Sequence, residues 1–197
     1  MTIWLIEPRD PVIFRDGRPF NASPGARAKT LSFPLPATTA GATRTRAGRD
    51  ANGHFDGGRI EELLGEQLRG PLLVELTENG GVKDWLFPAP ADALILKHEP
   101  YKKESGRLIP LTVVQTLTGT ATNLGDNLAL VGVAASAEGK PHSKAPAFWR
   151  RSRFDAWLLN PAQDDDAKLE TIGLAGPVRE SRMHVSIAND TQTAEDG

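Results

Sequence analysis

Two stretches near the N-terminus decide how this sequence is interpreted: Phe14-Arg15-Asp16-Gly17-Arg18-Pro19-Phe20 and Phe33-Pro34-Leu35-Pro36-Ala37-Thr38-Thr39-Ala40-Gly41-Ala42-Thr43-Arg44-Thr45. In the first stretch, Asp16-Gly17 predicts a tight turn, because glycine allows the positive φ that a narrow reversal needs. Arginines flank this turn, and phenylalanines lie outside the arginines. Positive charge displayed together with flat apolar rings suits a ligand that carries phosphates and bases.

The second stretch is a proline-rich segment that leads into a helix. Thr38 or Thr39 is predicted to cap the helix N-terminus, because a hydroxyl oxygen can accept hydrogen bonds from the first backbone N–H groups. Gly41 is predicted to permit the close approach of another backbone. Arg44 and Arg46 are expected to project from the first turns of this helix.

The rest of the pattern predicts a mixture of α and β structure. Helices are expected at residues 37–49, 59–69 and 148–159, and strands at 2–7, 72–77, 82–87, 94–96 and 183–188. Asn79-Gly80-Gly81 is a strong hairpin signal between two of these strands. Residues 98–125 are irregular and are interpreted largely as an insertion, although the Thr-rich run 111–118 can form a strand. Asp164-Asp165-Asp166 is expected in an exposed loop or at a helix start.

The charge distribution is uneven along the chain. The formal net charge is −2, which argues against indiscriminate nucleic-acid binding. Residues 1–50 nevertheless hold eight basic and four acidic residues, and residues 140–153 hold five basic residues and no acid. Two basic segments on an acidic body suit a protein that binds a polyanion with one face and a protein partner elsewhere. The alternative interpretation is that both segments are merely solvated.

The sequence offers little for catalysis or metal binding. Its four histidines, His54, His98, His142 and His184, are not spaced as metal ligands on one helix, and there is no cysteine. We therefore expect no metal and no cofactor. The sequence contains neither an apolar run of about eighteen residues nor a leader pattern, which predicts no membrane span or signal peptide. The absence of cysteine is in keeping with a cytoplasmic protein.

The order of the motifs resembles a known family. The segment Ile3-Trp4-Leu5-Ile6-Glu7-Pro8 precedes Asp10-Pro11, the two stretches quoted above and, far downstream, His184-Val185-Ser186-Ile187. This order is similar to that of the third subunit of the Cmr-type (type III-B) CRISPR effector complex, a member of the RAMP superfamily. The match is dense over residues 3–48 and returns at 184–197.

The resemblance implies an α+β fold built on a ferredoxin-like (RRM-like) β-α-β-β unit with long loop insertions. We expect this unit at residues 1–97, an irregular insertion at 98–147, and a helix and strand at 148–197 that begin or complete a second unit. Family members are usually longer, and their Gly-rich loop is not visible before Gly197. We therefore expect the second unit to be incomplete.

The resemblance also implies a non-catalytic RNA-binding subunit in CRISPR-Cas antiviral defence. It would bind the 5′ repeat-derived tag of the crRNA and join the large polymerase-like subunit to the backbone RAMP subunits. Arginine guanidinium groups would form bidentate hydrogen bonds with phosphates, and backbone N–H groups at the start of a helix would bind further phosphates. Phenylalanine rings would stack on unpaired bases. The expected RNA-binding residues are Phe14, Arg15, Asp16, Gly17, Arg18, Phe20, Phe33, Thr38, Gly41, Arg44, Thr45, Lys144 and His184.

Two other functions stay open from the sequence. A RAMP-type endonuclease that processes guide-RNA precursors needs a histidine as general base for a 2′-OH, close to a lysine or tyrosine. The only tyrosine is Tyr101, and no two histidines form a compact pair in the sequence. A protein-interaction scaffold would use its basic segments only to bind an acidic partner, and would show no saturable RNA binding at physiological salt.

Overall fold

The structure is a computed structural model of the 197-residue chain. It describes residues 2–15, 30–97, 104–115, 119, 121, 123–125, 127–134, 137–161, 164–180, 182, 187, 190–191 and 193. The chain forms two compact units, one made of Met1–Pro71 with Pro177–Gly197 and the other of Leu72–Gly176. This division follows different boundaries from the expected ranges 1–97, 98–147 and 148–197. Most of the strand predicted at 183–188 lies outside the described residues.

The described part of the first unit contains two helices joined through a short 3-10 turn. Helix α1 spans Pro36–Ala47, the turn spans Gly57–Arg59, and helix α2 spans Ile60–Gly65. Pro36 lies in the first turn of α1, where its fixed φ favours helix and its missing N–H costs nothing. The predicted helix at 37–49 is thus confirmed with slightly shifted ends, whereas the helix predicted at 59–69 is shorter.

The predicted capping of α1 is wrong. The N-cap residue is Leu35, which makes no side-chain capping hydrogen bond. Thr38 and Thr39 lie inside the first turn instead, and the Thr39 hydroxyl donates to the carbonyl oxygen of Pro36 at 3.0 Å. The cause is the proline, which fixes the N-cap at Leu35, three or four residues before Thr38 and Thr39.

The predicted N-terminal strand is not formed. Residues 2–8 have no strand assignment, and the apolar side chains in them are exposed, Ile3 by 62% and Trp4 by 45%. Alternating apolar residues predict extended backbone, but a strand also needs a hydrogen-bonding neighbour. The described residues provide none for this segment.

The described part of the second unit contains nine short strands and two helices. The strands are β1 Leu73–Leu76, β2 Val82–Pro88, β3 Ala93–Leu96, β4 Ser105–Pro110, β5 Thr112–Val113, β6 Val131–Gly132, β7 Phe148–Arg150, β8 Asp164–Lys168 and β9 Gly173–Leu174; the helices are α3 Arg151–Leu159 and α4 Leu169–Ile172. They form antiparallel sheets in the orders β1-β2-β7-β9, β3-β4-β8 and β5-β6. Mixed helices and antiparallel sheets confirm the α+β class.

The hairpin predicted at Asn79-Gly80-Gly81 is confirmed. Strands β1 and β2 pair antiparallel, and Gly80 has a φ of +77° in the turn between them. The Thr77 amide donates to the Gly81 carbonyl oxygen at 2.8 Å and closes the loop. A glycine at this position avoids the cost that a Cβ would pay in the left-handed region.

Three predictions about the second unit are wrong. Residues 105–110 are the central, largely buried strand β4 and not part of an irregular insertion. Phe148–Arg150 is strand β7, so that the predicted helix begins only at Arg151. Asp164–Lys168 is strand β8, not a loop or helix start, because it pairs with β4. In each case a neighbouring strand overrides the local preference.

The hydrophobic core of the second unit joins its sheets to its helices. Leu108 of β4 is fully buried, and Trp149 of β7 is 1% exposed. Trp149 meets Trp157 of α3 edge-on, with ring centroids 5.7 Å apart, an arrangement that aromatic quadrupoles favour. Trp157 also donates its indole N–H to an Asp92 carboxylate oxygen at 3.0 Å. Ile95, Ala167, Leu169 and Ile172 complete this core.

Candidate nucleic-acid interface

An antiparallel bridge closes the segment between residues 15 and 30, which we call the arginine-rich segment and which contains most of the first quoted stretch. Arg15 pairs with Thr30, and the Leu31 amide donates to the Phe14 carbonyl oxygen at 2.6 Å. The Thr30 hydroxyl accepts from the Phe14 amide at 3.3 Å. The bridge therefore holds Arg15 exposed and Phe14 half-buried at the base of the segment between them. Asp16, Gly17, Arg18 and Phe20 lie in the part of the chain that is not described.

A further arginine reaches the same bridge from the other end of the chain. The Arg179 guanidinium donates to the Thr30 carbonyl oxygen at 3.3 Å. Arg179 is exposed, as is Arg15, whose backbone pairs with Thr30. The sequence analysis missed Arg179, because no local motif marks it and only the fold brings it to Thr30.

Helix α1 displays three of the predicted residues as one stripe. Thr38, Gly41 and Thr45 are all exposed, and spacings of three and four residues place them on the same helix face. A Cβ added at Gly41 would meet no atom within 4 Å. The close approach predicted at Gly41 is therefore not made by the described part of this chain. Phe33 is half-buried just before the helix.

Arg44 has a structural role that the sequence did not indicate. Its guanidinium donates to three carbonyl oxygens at the C-terminal end of α2, those of Leu63 at 2.8 Å, Leu64 at 3.4 Å and Glu66 at 3.1 Å. Arg44 and Arg46 lie in the last turn of α1 and not in its first turns. The prediction of first-turn arginines is therefore wrong, because the helix starts at Pro36.

The second basic segment, residues 140–153, is divided by the fold. Arg150 forms ion pairs with Glu75 of β1 and with Asp84 of β2, the latter at 3.5 Å. These carboxylates hold the pKa of Arg150 above its usual value, although burial opposes them. Arg151 pairs with Asp155 at 3.3 Å. Only Lys140 and Lys144 of the segment are exposed without an ion pair among the described residues.

Lys144 lies beside a buried histidine. The Lys144 amide donates to Nδ1 of His142 at 3.1 Å, and His142 is 7% exposed. Burial lowers the pKa of His142, and the nearby charges of Lys97 and Lys144 lower it further. His142 is therefore neutral at pH 7 and acts as a hydrogen-bond acceptor. His184 lies outside the described residues.

Within the described ranges, no group of three His, Cys, Asp or Glu side chains is arranged to hold a metal ion. Among the same residues, no helix has the length and apolar character needed to cross a membrane.

Comparison with known proteins identifies the family. The model of the CRISPR-associated protein family Cas_Cmr3 matches residues 4–197, which is nearly the whole chain. Searches among curated proteins and among solved structures gave no significant match. The matched range includes both stretches quoted from the N-terminal region, helix α1 and Arg179. The chain therefore belongs to the Cas_Cmr3 family and is a third subunit of the type III-B, or Cmr, CRISPR effector complex.

Proposed function

We propose that this chain is a non-catalytic RNA-binding subunit of the complex. It binds the 5′ repeat-derived tag of the crRNA and joins the large polymerase-like subunit to the backbone RAMP subunits. Membership in a multi-subunit CRISPR complex supports the general role. The finer roles, and the ferredoxin-like arrangement that goes with them, are part of the proposal. The proposal also includes a cytoplasmic location, where the guide RNA and the effector complex assemble.

The Arg15–Thr30 bridge is the observation that carries the proposal. It brings Arg15 and Arg179 to one place at the base of the arginine-rich segment. Guanidinium forks fit phosphate oxygens. The exposed stripe Thr38, Gly41 and Thr45 lets a backbone approach α1 closely. Phe14 and Phe33 provide half-buried rings for base stacking near these groups.

The test is binding of a tagged guide RNA by the assembled complex across a salt series. Arg15→Ala/Arg18→Ala should weaken binding by on the order of 1 kcal/mol for each lost phosphate contact, and should lower the salt slope by about one unit for each. Arg179→Ala should behave in the same way. Arg151→Ala is the matched control, because Arg151 is an exposed arginine already paired with Asp155.

The outcomes separate this proposal from its alternatives. Unchanged affinity and slope in the arginine variants, with folding intact, would remove the bridge from the RNA site. Absence of saturable RNA binding by the wild-type complex would favour the scaffold. A specific cut in a repeat-containing RNA would favour the endonuclease.

A further inference from the structure

A short segment of the second unit adds a fourth row to the sheet β3-β4-β8. Leu96 and Pro141 form an antiparallel bridge. On either side of it, the Lys97 amide donates to the Lys140 carbonyl oxygen, and the His142 amide donates to the Ile95 carbonyl oxygen, each at 2.8 Å. The segment 140–142 therefore pairs with the edge of β3 in a defined register.

This register places two lysines directly opposite each other. On each side of the bridge, facing residues share one face of the sheet, so Lys97 faces Lys140 and Ile95 faces His142. Facing residues in an antiparallel pair have Cβ atoms about 5 Å apart. Like charges at that separation destabilise the pairing. Both lysines are exposed, and neither forms an ion pair with any other described residue.

A glycine makes this unfavourable pairing possible. Gly139 has a φ of +123°, and a Cβ there would lie 2.9 Å from the Lys97 carbonyl oxygen. The glycine therefore lets the chain approach β3 closely just before the paired segment.

A third lysine lies next to the pair. The Lys144 amide is bound to Nδ1 of the buried His142, which fixes the turn that follows the paired segment. The histidine is close enough to feel the charges of both Lys97 and Lys144. The nearest described carboxylate in sequence, Glu138, is exposed and forms no ion pair with these lysines.

From this geometry we infer that Lys97, Lys140 and Lys144 form a phosphate-binding site for the RNA backbone, separate from the arginines of the first unit. We call these three residues the lysine cluster. The inference rests on the proposed function in so far as the phosphate belongs to guide RNA. An anion among the three ammonium groups would offset their mutual repulsion, which no ion pair with another described residue does. Lysine ammonium groups act as point charges. They can therefore bind phosphodiester groups without recognising the base sequence.

One variant tests the cluster in two independent ways. Lys140→Glu places a carboxylate opposite Lys97, which turns a repulsive cross-strand pair into an attractive one. Its melting temperature should therefore rise or stay equal, while its affinity for RNA falls. The probe is a fluorescently labelled single-stranded RNA that carries the 5′ tag, bound to the full chain at about 0.1 M salt. We expect a loss of roughly tenfold or more, and a salt slope reduced by about one unit.

Matched variants exclude the simpler explanations. Lys168→Glu makes the same change of net charge on β8 of the same sheet, and should bind RNA nearly as well as wild type. Lys140→Arg keeps the charge and should restore binding. If Lys140→Glu and Lys168→Glu lose the same amount of RNA affinity, the loss reflects only the change in net charge, and the inference is overturned. Retained wild-type affinity in Lys140→Glu would overturn it directly.

Two further comparisons identify the ligand and separate the two proposals. A poly-glutamate peptide should compete poorly with the RNA; if it binds the lysine cluster more tightly than RNA does, the cluster recognises an acidic protein and the inference fails. Loss of binding in Arg15→Ala/Arg18→Ala but not in Lys140→Glu would leave the proposed function standing and remove only the lysine cluster. Absence of RNA binding by the wild-type chain and the wild-type complex would remove both.

Discussion

Nε of Arg44 in α1 donates to the carbonyl oxygen of Leu63 in α2 at 2.8 Å. Leu63 is 4% exposed, so that this hydrogen bond joins a charged donor to a carbonyl in the buried part of the first unit. The last carbonyls of a helix have no partner within it, and a positive group near them is favourable. One side chain thus completes the end of α2 and fixes α1 against it.

Replacement of Arg44 should therefore destabilise the fold before it affects any ligand. We expect Arg44→Ala to lower the free energy of unfolding by about 1–2 kcal/mol, because it leaves partly buried carbonyls without a charged donor. Urea titration of the full chain measures this. Arg46→Ala, in the same turn and exposed, is the control and should change stability by less than about 0.5 kcal/mol. Equal stability of both variants would show that the Arg44 hydrogen bonds contribute nothing.

Glu75 should make stability depend on acid pH. Hydrogen bonds from Lys83 and Arg150 hold the pKa of its carboxyl below the usual value of 4.5. The stabilisation is complete above that value and is lost as the pH falls through the lower pKa of the folded state. Between pH 7 and pH 3, wild type should lose more stability than Glu75→Gln, which should already be less stable at pH 7. Thermal unfolding at several pH values measures the difference, and parallel curves for the two proteins would contradict it.

Two glycines should respond to alanine in opposite directions. A Cβ on buried Gly173 would collide with the Phe148 carbonyl oxygen and lie 2.8 Å from Cα of Trp149. Gly173→Ala must therefore separate β9 from β7, and should destabilise by about 3 kcal/mol. Gly41→Ala has open space around it and should stabilise α1 by about 0.5–1 kcal/mol. Chemical denaturation compares the two; a neutral Gly173→Ala would contradict the β7–β9 pairing.

The stabilising Gly41→Ala variant also tests α1 as an RNA surface. If a nucleic-acid backbone approaches the stripe Thr38, Gly41 and Thr45, the added methyl group should weaken RNA binding by the complex at least threefold even though the fold is more stable. Ala42→Gly, one position further along the exposed helix surface, is the control that lowers helix stability without adding bulk. RNA affinity unchanged by Gly41→Ala would remove this stripe from the interface.

We expect the chain to have no ribonuclease activity. We expect the purified chain to leave a repeat-containing RNA intact with or without Mg²⁺, since neither an acid–base pair nor a metal-ligand set is evident in the sequence. Gel analysis of end-labelled RNA measures this. A specific cut that disappears in His184→Ala would show that the chain is an endonuclease.

Local signals in the sequence were sufficient for α1 and for the first hairpin. Asn79-Gly80-Gly81 provides the turn that its strands need, and Pro36 favours a helix start. The sequence was insufficient for β4 and β8. Residues 105–110 contain glycine and proline, and residues 164–166 are three aspartates, all of them residue types depleted in strands. Both become strands because they pair with each other, and such a distant pairing leaves no local pattern.

The residues of the candidate site also differ in whether the sequence alone could identify them. Arg15, Thr38, Gly41 and Thr45 were found from motifs and remain exposed. Arg44 was found from the same motif, but its contacts with α2 could not be read from the chain. Arg179 and the pairing of Lys97 with Lys140 depend on segments far apart in the sequence, so that only the fold shows them. Isolated charges in a sequence do not reveal whether a carboxylate will neutralise them.

The segment 140–142 covers the edge of β3 that lies opposite β4. An uncovered strand edge offers unpaired N–H and C=O groups to another chain, and lysines at an edge oppose such pairing. On that side of the sheet the second unit presents the exposed side chains of Lys97 and Lys140 beside an edge that is already paired. This arrangement disfavours edge-to-edge aggregation between copies of the chain.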